Sequence, residues 1–256
     1  MVNGKIISQK GEIEMKPKMI LFDYGGTLLY EPDFCPSAGN QAIYSYISEN
    51  PNHVSLQEFS DYLLLLFEEI RALRGEKIEM HEHIFLRYVL EHFNMKLLIP
   101  IEKAEEIIWN GVSKGCMTPN ADKMLAVLRE NHIRTGIISN LCWSSKALTK
   151  RLKQFFPEHD FEFVITSSDY IFRKPDIHIF DIAIRKSKLK PEEIWYCGND
   201  VEVDIFGAYQ ANLFPVYYDD RTIPSRFYEK NDSFSIEFPH LRIHSWEELT
   251  KEIFYE

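Results

Sequence analysis

At 256 residues and 45% apolar content, the chain can fill one large core, or a core plus a smaller module. Its net charge of −10 argues against a nucleic-acid partner, which needs clustered Lys and Arg, and no run approaches the roughly 18 apolar residues of a membrane span. The polar stretch Met1 to Lys18 lacks the apolar centre of a signal peptide, so a cytoplasmic location is the expectation.

The first predicted strand is the apolar run Met19 to Phe22, which delivers Asp23 into a glycine-rich turn containing Gly25, Gly26 and Thr27. Ahead of it, residues 1 to 17 read either as a leader without structure or with Lys5 to Ser8 as a small edge strand. A Pro-bearing link from Glu31 to Ser37 leads into about eighty residues of helical pattern, with Tyr44, Ile47, Leu56, Phe59, Leu63, Leu66, Phe67 and Ile70 at spacings of mostly three or four. Further helices are expected over His83 to Asn94 and Ile101 to Ser113. After Pro119 the pattern alternates. Strands are predicted at Ile133 to Ser139, Phe161 to Thr166, Glu193 to Cys197 and Leu213 to Tyr217, with helices at Asp122 to Glu130, Ser144 to Phe156, Ile177 to Lys186 and Val203 to Gln210. Ser245, with Glu248 three residues on, opens a short terminal helix. Such alternation specifies an α/β fold: a Rossmann-like, doubly wound, mostly parallel sheet with helices on both faces. The helical stretch inserted after the first strand is expected to form a separate all-helical cap, residues 37–115, on a core built from 1–36 and 116–256. Cys35, Cys116, Cys142 and Cys197 form no CxxC pair and read as buried or semi-buried free thiols.

Chemistry-bearing residues recur where strands end, the edge at which open α/β sheets place their ligands. Asp23 follows the first strand. Ser139 and Asn140 follow the second, and both can hydrogen-bond a phosphoryl oxygen, although Ser-Asn is also ordinary turn chemistry. Arg173-Lys174-Pro175-Asp176 follows the third; a lysine there can neutralise a phosphate and an attacking carboxylate together, or be simply solvated. Gly198-Asn199-Asp200-Val201-Glu202-Val203-Asp204 follows the fourth, offering oxygens suited to a hard cation such as Mg²⁺, or an acidic helix start favoured by the helix dipole. His81-Glu82-His83 looks like a metal cluster, but the exposed polar start of a helix explains it as well. Trp143, just after Ser139-Asn140, either lines the pocket or caps the sheet edge.

In order and spacing these stretches resemble the four motifs of the haloacid dehalogenase (HAD)-like hydrolase superfamily, from about Met19 to Asp220, and the helical insertion sits where its subfamily I carries a cap between motifs one and two. The resemblance implies a Mg²⁺-dependent phosphatase of small phosphorylated metabolites. It makes Asp23 the nucleophile that forms an aspartyl-phosphate, with Thr27, Ser139, Asn140 and Lys174 holding and neutralising the phosphoryl group. The metal would be held by Asp23, the backbone carbonyl of Gly25, and Asp204, together with Asn199 or Asp200. The glycine anchor favours Asn199 and charge favours Asp200; both stay open.

One departure from the family pattern has chemical weight. Phosphatases of the family usually place a second aspartate two residues after the first, where it protonates the leaving oxygen and then activates water; here that residue is Gly25. General acid-base catalysis contributes about 10² to 10⁴ in rate, so turnover is expected to be slow and the phosphorylated form of Asp23 to accumulate. Glu31 or Asp33 could supply the missing carboxylate. The other reading is a phosphate- and Mg²⁺-binding or regulatory protein of low turnover on the same fold.

Overall fold

The computed structural model describes residues 6–8, 11–13, 16–225 and 227–254. Six strands form the central sheet: β1 (Met19–Phe22), β2 (Arg134–Ser139), β3 (Val164–Thr166), β4 (Ile194–Gly198), β5 (Phe214–Tyr218) and β6 (Leu241–Ile243), in the order β6-β5-β4-β1-β2-β3 and parallel throughout. β1 lies in the middle, buried on both faces, which is why its residues are all apolar. Its side chains alternate: Ile20 and Phe22 enter one core cluster, and Met19 and Leu21 the other. The first cluster continues into the helical insertion and into Trp246, whose ring stacks on Tyr218 and meets Phe22 edge-on.

Four helices make up the insertion after β1: α1 (Pro36–Tyr44), α2 (Leu56–Arg74), α3 (Glu82–His92) and α4 (Ile101–Val112). Ser55 and Glu58 close a full capping box at the start of α2. Tyr44 and Ile47 do not share a helix with Leu56 as the spacing predicted. Tyr44 ends α1, and Ile47–Glu49 pairs with Lys96–Leu97 as a small antiparallel ribbon, so the insertion is helical but not wholly so. The intervening Asn-Pro-Asn-His turn, with His53 at φ 52°, breaks the periodicity. Both chain connections to the insertion run side by side, Leu29–Tyr30 pairing with Cys116–Met117.

The remaining longer helices are α5 (Ala121–Glu130), α6 (Ser145–Phe155), α7 (Ile177–Ser187) and α8 (Trp246–Phe254), close to the predicted bounds. β6 escaped the sequence reading because three residues at a sheet edge carry too little periodicity. Ile6–Ser8 pairs with Gly11–Ile13 in a separate ribbon rather than joining the sheet, while Lys5 lies outside the described residues. Among the described residues no helix is long and apolar enough to cross a membrane, and all four cysteines are free, with Cys35 exposed.

Candidate active site

The carboxyl ends of β1, β2 and β4 meet in a small set of buried charges. Asp23 continues β1 by one backbone hydrogen bond, from its N–H to the Cys197 carbonyl at 2.9 Å. Its Oδ1 accepts from Ser139 Oγ at 2.8 Å and from Lys174 Nζ at 2.7 Å, so both side-chain bonds fall on one oxygen and Oδ2 has none among the described residues. Lys174 is 2% exposed, and its ammonium also donates to Asp204 Oδ1 at 2.6 Å and to the Tyr196 hydroxyl at 2.7 Å. Three protons meet three acceptors, and one cation lies between two carboxylates.

The balance of charge shows in the titration of these groups. Burial pushes the Asp23 carboxyl up to about 6, with Lys174 opposing and Asp204 adding to the rise. Burial alone would pull Lys174 down, yet Asp204 and Asp23 together hold it above its ordinary 10.5. A permanently charged lysine beside a carboxylate with one free oxygen can receive a phosphate dianion and let an anion attack it.

Thr27 and Asn199 face each other across the loop after β1, with Thr27 Oγ1 donating to Asn199 Oδ1 at 3.2 Å. Gly26 makes this approach possible. Its φ is +80°, and a Cβ there would lie 2.4 Å from Asn199 Nδ2. Gly25 is the opposite case, since a Cβ would meet nothing within 4 Å.

Asn199 and Asp200 are placed differently. Asn199 turns toward Thr27, whereas Asp200 Oδ1 accepts from the N–H groups of Glu202 and Val203 and its Oδ2 pairs with Lys230 at 3.3 Å. From Asp200 the chain continues in a wide turn over Val201–Ile205, in which Ile205 N–H reaches back five residues to the Asp200 carbonyl. Asp204, within that turn, returns to Lys174. The cation that the resemblance implies would have to be held by these donors. No three acidic, histidine or cysteine side chains gather in ligand geometry among the described residues. The set that fits is oxygen-only: the Asp23 carboxylate, the Gly25 carbonyl and the Asn199 amide oxygen, with Asp204 behind. That donor set suits a Mg²⁺ ion, which keeps several waters.

Asn140 was expected at a phosphoryl oxygen. Instead its amide brackets the Lys174 backbone, Nδ2 donating to the carbonyl at 2.9 Å and Oδ1 accepting from the N–H at 2.7 Å. Glu31 and Asp33 are engaged with the insertion and its connections. Glu31 Oε1 accepts from Tyr24, Trp109 and Arg151, and Asp33 accepts from Ser113 Oγ and the Lys114 N–H. Neither carboxylate hydrogen-bonds to the Asp23 cluster. His81 begins α3 by accepting from the His83 N–H, so the His-Glu-His run is a helix start. It is not an exposed one. Glu82 is buried, and His83 Nε2 meets buried Glu105 at 2.9 Å. Trp143 is 8% exposed and stacks at 5.3 Å on Trp109 of the insertion, covering the seam.

Two contributors were missed. Tyr196 is the third acceptor for Lys174, and a tyrosine two residues before the end of an otherwise apolar buried strand was the available signal. Asn231, from the chain after β5, donates to the Asn199 carbonyl at 2.7 Å and accepts from Val201 N–H at 3.0 Å, fixing the fourth strand end. Nothing in its local sequence marks it.

A sequence model of the haloacid dehalogenase-like hydrolases matches residues 20–216. Over 198 residues the chain is 28% identical to a glyceraldehyde 3-phosphate phosphatase of Methanothermobacter thermautotrophicus, covering 77% of this chain and 83% of that one. A protein of the same name from Methanocaldococcus jannaschii is 24% identical over 237 residues, 91% and 95% of the two chains. The fold is similar to the crystal structure of a HAD phosphatase from Thermococcus onnurineus, with a TM-score of 0.61 at 21% identity, covering 94% of this chain and 99% of that one.

Proposed function

From membership of the haloacid dehalogenase-like hydrolase family, to which this chain belongs, we propose that it is a Mg²⁺-dependent phosphatase of small phosphorylated metabolites, working through an aspartyl-phosphate on Asp23 and slowed by Gly25. The observation that carries the reading is Lys174 held between Asp23 and Asp204, beside an Asp23 oxygen with no hydrogen bond among the described residues. The relatives named as phosphatases of a phosphorylated triose support a small phosphorylated substrate of that kind. Residues 37–115 serve as a cap over the site.

Asp23 attacks phosphorus; the bond from phosphorus to the leaving oxygen breaks, and the phosphoryl group passes to the carboxylate. Lys174, Ser139 and Thr27 hold the charge that moves onto the phosphoryl oxygens. A Mg²⁺ ion held by Asp23, the Gly25 carbonyl and Asn199 supplies further charge neutralisation when bound. No side chain at residue 25 delivers a proton to the leaving oxygen or takes one from the attacking water. Leaving groups that depart as stable anions, acyl and aryl phosphates, are therefore the best substrates, and the second step limits turnover.

Gly25 also favours a second reading, a phosphate- and Mg²⁺-binding or regulatory protein that hardly turns over. Pre-steady-state kinetics with an activated aryl phosphate and Mg²⁺ separate the two. A burst followed by slow multiple turnover, both abolished in Asp23→Asn, identifies the phosphatase. Binding of phosphate without turnover in the wild type identifies the module.

A further inference from the structure

Outside the charge cluster, Arg151 of α6 joins several separate elements. It is 4% exposed, a depth rare for arginine unless every donor is used. Nε donates to the Tyr24 hydroxyl at 2.8 Å; Nη2 donates to Glu31 Oε1 at 3.3 Å and to the Ser113 carbonyl at 2.9 Å; Nη1 reaches Asn110 Oδ1 at 3.5 Å. The guanidinium also lies over the Trp109 ring, 4.6 Å from its centre.

These partners belong to four places. Glu31 lies on the connection entering the insertion and Ser113 on the one leaving it. Trp109 and Asn110 belong to α4. Tyr24 follows Asp23 directly. The outgoing connection passes so close that a Cβ at Gly115, where φ is +72°, would come within 2.9 Å of Nη2. The two connections are tied to each other by Asp33 and Ser113 and by the Cys35 N–H, which donates to the Val112 carbonyl at 2.8 Å.

Tyr24 carries the contact into the site. Its carbonyl accepts from the N–H groups of Leu28 and Leu29, both at 3.1 Å, and from that of Thr27 at 3.4 Å, so the loop holding Thr27 is built on it. A planar guanidinium with donors in fixed directions can tie both connections and this loop at once; an ammonium has neither the reach nor the fork.

We propose that Arg151 is a positioning residue that pins both connections of the insertion to the nucleophile loop, so that the insertion's orientation and the placement of Asp23 and Thr27 change together. The effect on catalysis rests on the phosphatase reading; the mechanical coupling does not.

Amide hydrogen exchange on the full chain tests the coupling directly. In Arg151→Lys the amides of Cys35 on the connection and of Leu28 and Leu29 on the loop are expected to exchange faster together, by about tenfold or more. Faster exchange at Cys35 with Leu28 and Leu29 unchanged, or no change at either, overturns the proposal. If burying lysine prevents folding, Tyr24→Phe asks the same question from the other end. It removes the Nε acceptor while keeping the ring, and exchange at Cys35 must then rise. A response confined to the loop rejects the coupling. With an aryl phosphate and Mg²⁺, both variants are expected to lose about tenfold in kcat with KM changed less, as displaced reacting groups predict. If the wild type itself shows no turnover, the phosphatase reading fails, and the exchange data still decide the role of Arg151.

Discussion

Two groups of buried carboxylates stand in different settings, one under the sheet edge and one along the seam between the core and the insertion. At the sheet edge, Asp23 and Asp204 share one lysine and every proton has an acceptor. At the seam, Glu79, Glu82 and Glu105 are all buried. Glu79 is held by Arg173, Arg74 and Ser167, and Glu105 accepts from Ser144 N–H and Oγ and from His83, thereby covering the first turn of α6. Backbone bonds join the same surfaces: Glu79 N–H to the Ile171 carbonyl and Arg173 N–H to the Lys77 carbonyl, immediately before Lys174. Glu82 alone has no side-chain hydrogen bond among the described residues. One cluster is balanced around an open oxygen, as a reacting site needs. The other joins the insertion to the rest of the fold and, among the described residues, leaves one acid without a counter-charge.

The sharpest way to break the first cluster is Lys174→Met, which keeps the bulk and removes the cation. Two carboxylates then face each other in a buried site, and breaking a buried pair costs about 3–5 kcal/mol. Formation of phosphorylated Asp23 is expected to slow by about 10³ or more (about 1.4 kcal/mol per tenfold), read by rapid quench with an aryl phosphate. A phosphoenzyme rate within tenfold of wild type would remove Lys174 from the mechanism.

The seam answers to pH. Burial, with Glu105 nearby, pushes the Glu82 carboxyl up to about 8 from its ordinary 4.5. Below 4.5 the group is protonated folded or unfolded and costs nothing. Between 4.5 and 8 the folded chain keeps a proton that the unfolded chain releases, so stability falls as pH rises; above 8 the loss is complete. Glu82→Gln cannot ionise. It should match wild type near pH 4.5 and be more stable at pH 8.5 by on the order of 3 kcal/mol, since each pH unit over which only the unfolded chain is ionised contributes up to about 1.4 kcal/mol. Denaturant melts at the two pH values check this, and equal stability at pH 8.5 would show that Glu82 is ionised in place.

Gly25→Asp sharpens the contrast from the side of catalysis. A Cβ at residue 25 meets nothing within 4 Å, so the carboxylate has room without moving a neighbour. Restoring the proton carrier is expected to raise steady-state turnover by about 10²-fold, within the usual range for acid-base catalysis, with less phosphoenzyme accumulating. Unchanged turnover would place the limit elsewhere, in opening of the insertion or product release.

The two regions also differed in how far the sequence disclosed them. Asp23, Ser139, Lys174 and Asp204 stand at or just beyond strand ends in recognisable local patterns, and the structure brings all four together. Apolar runs located five of the six sheet strands, because buried parallel strands are apolar on both faces. The seam was hidden because its contacts join residues far apart in the chain. Glu79 meets Arg173 across 94 residues, and Arg151 meets Tyr24 across 127. Arg151 left one trace: it lies three residues after Leu148 and one before Leu152, on the buried side of an amphipathic helix where a solvated arginine has no place. Asn140 shows the reverse relation. Its local pattern fits phosphate, yet its amide serves the backbone of Lys174.

The smallest expected effect isolates geometry from charge. Tyr196 accepts one of the three Lys174 protons at 2.7 Å, and its hydroxyl donates to the Ile138 carbonyl at 3.0 Å. Burial, together with Asp204 and Asp23, pushes that hydroxyl well above its ordinary 10.0, so it stays neutral and contributes direction rather than charge. Tyr196→Phe keeps the ring that packs edge-on against Phe180 and leaves Lys174 with two anionic acceptors and one free proton. A hydrogen bond to a charged group contributes about 1.5–3 kcal/mol, of which a phosphate taking the freed proton would recover part, so the phosphoenzyme should form about tenfold more slowly while Lys174 remains charged. A phosphate group arriving in the site can take the released proton, which predicts that binding of inorganic phosphate tightens, or at least does not weaken, as the chemical step slows. Slower chemistry with weaker phosphate binding would mean instead that Tyr196 supports the whole pocket, and that the balance around Lys174 depends on packing more than on its three acceptors.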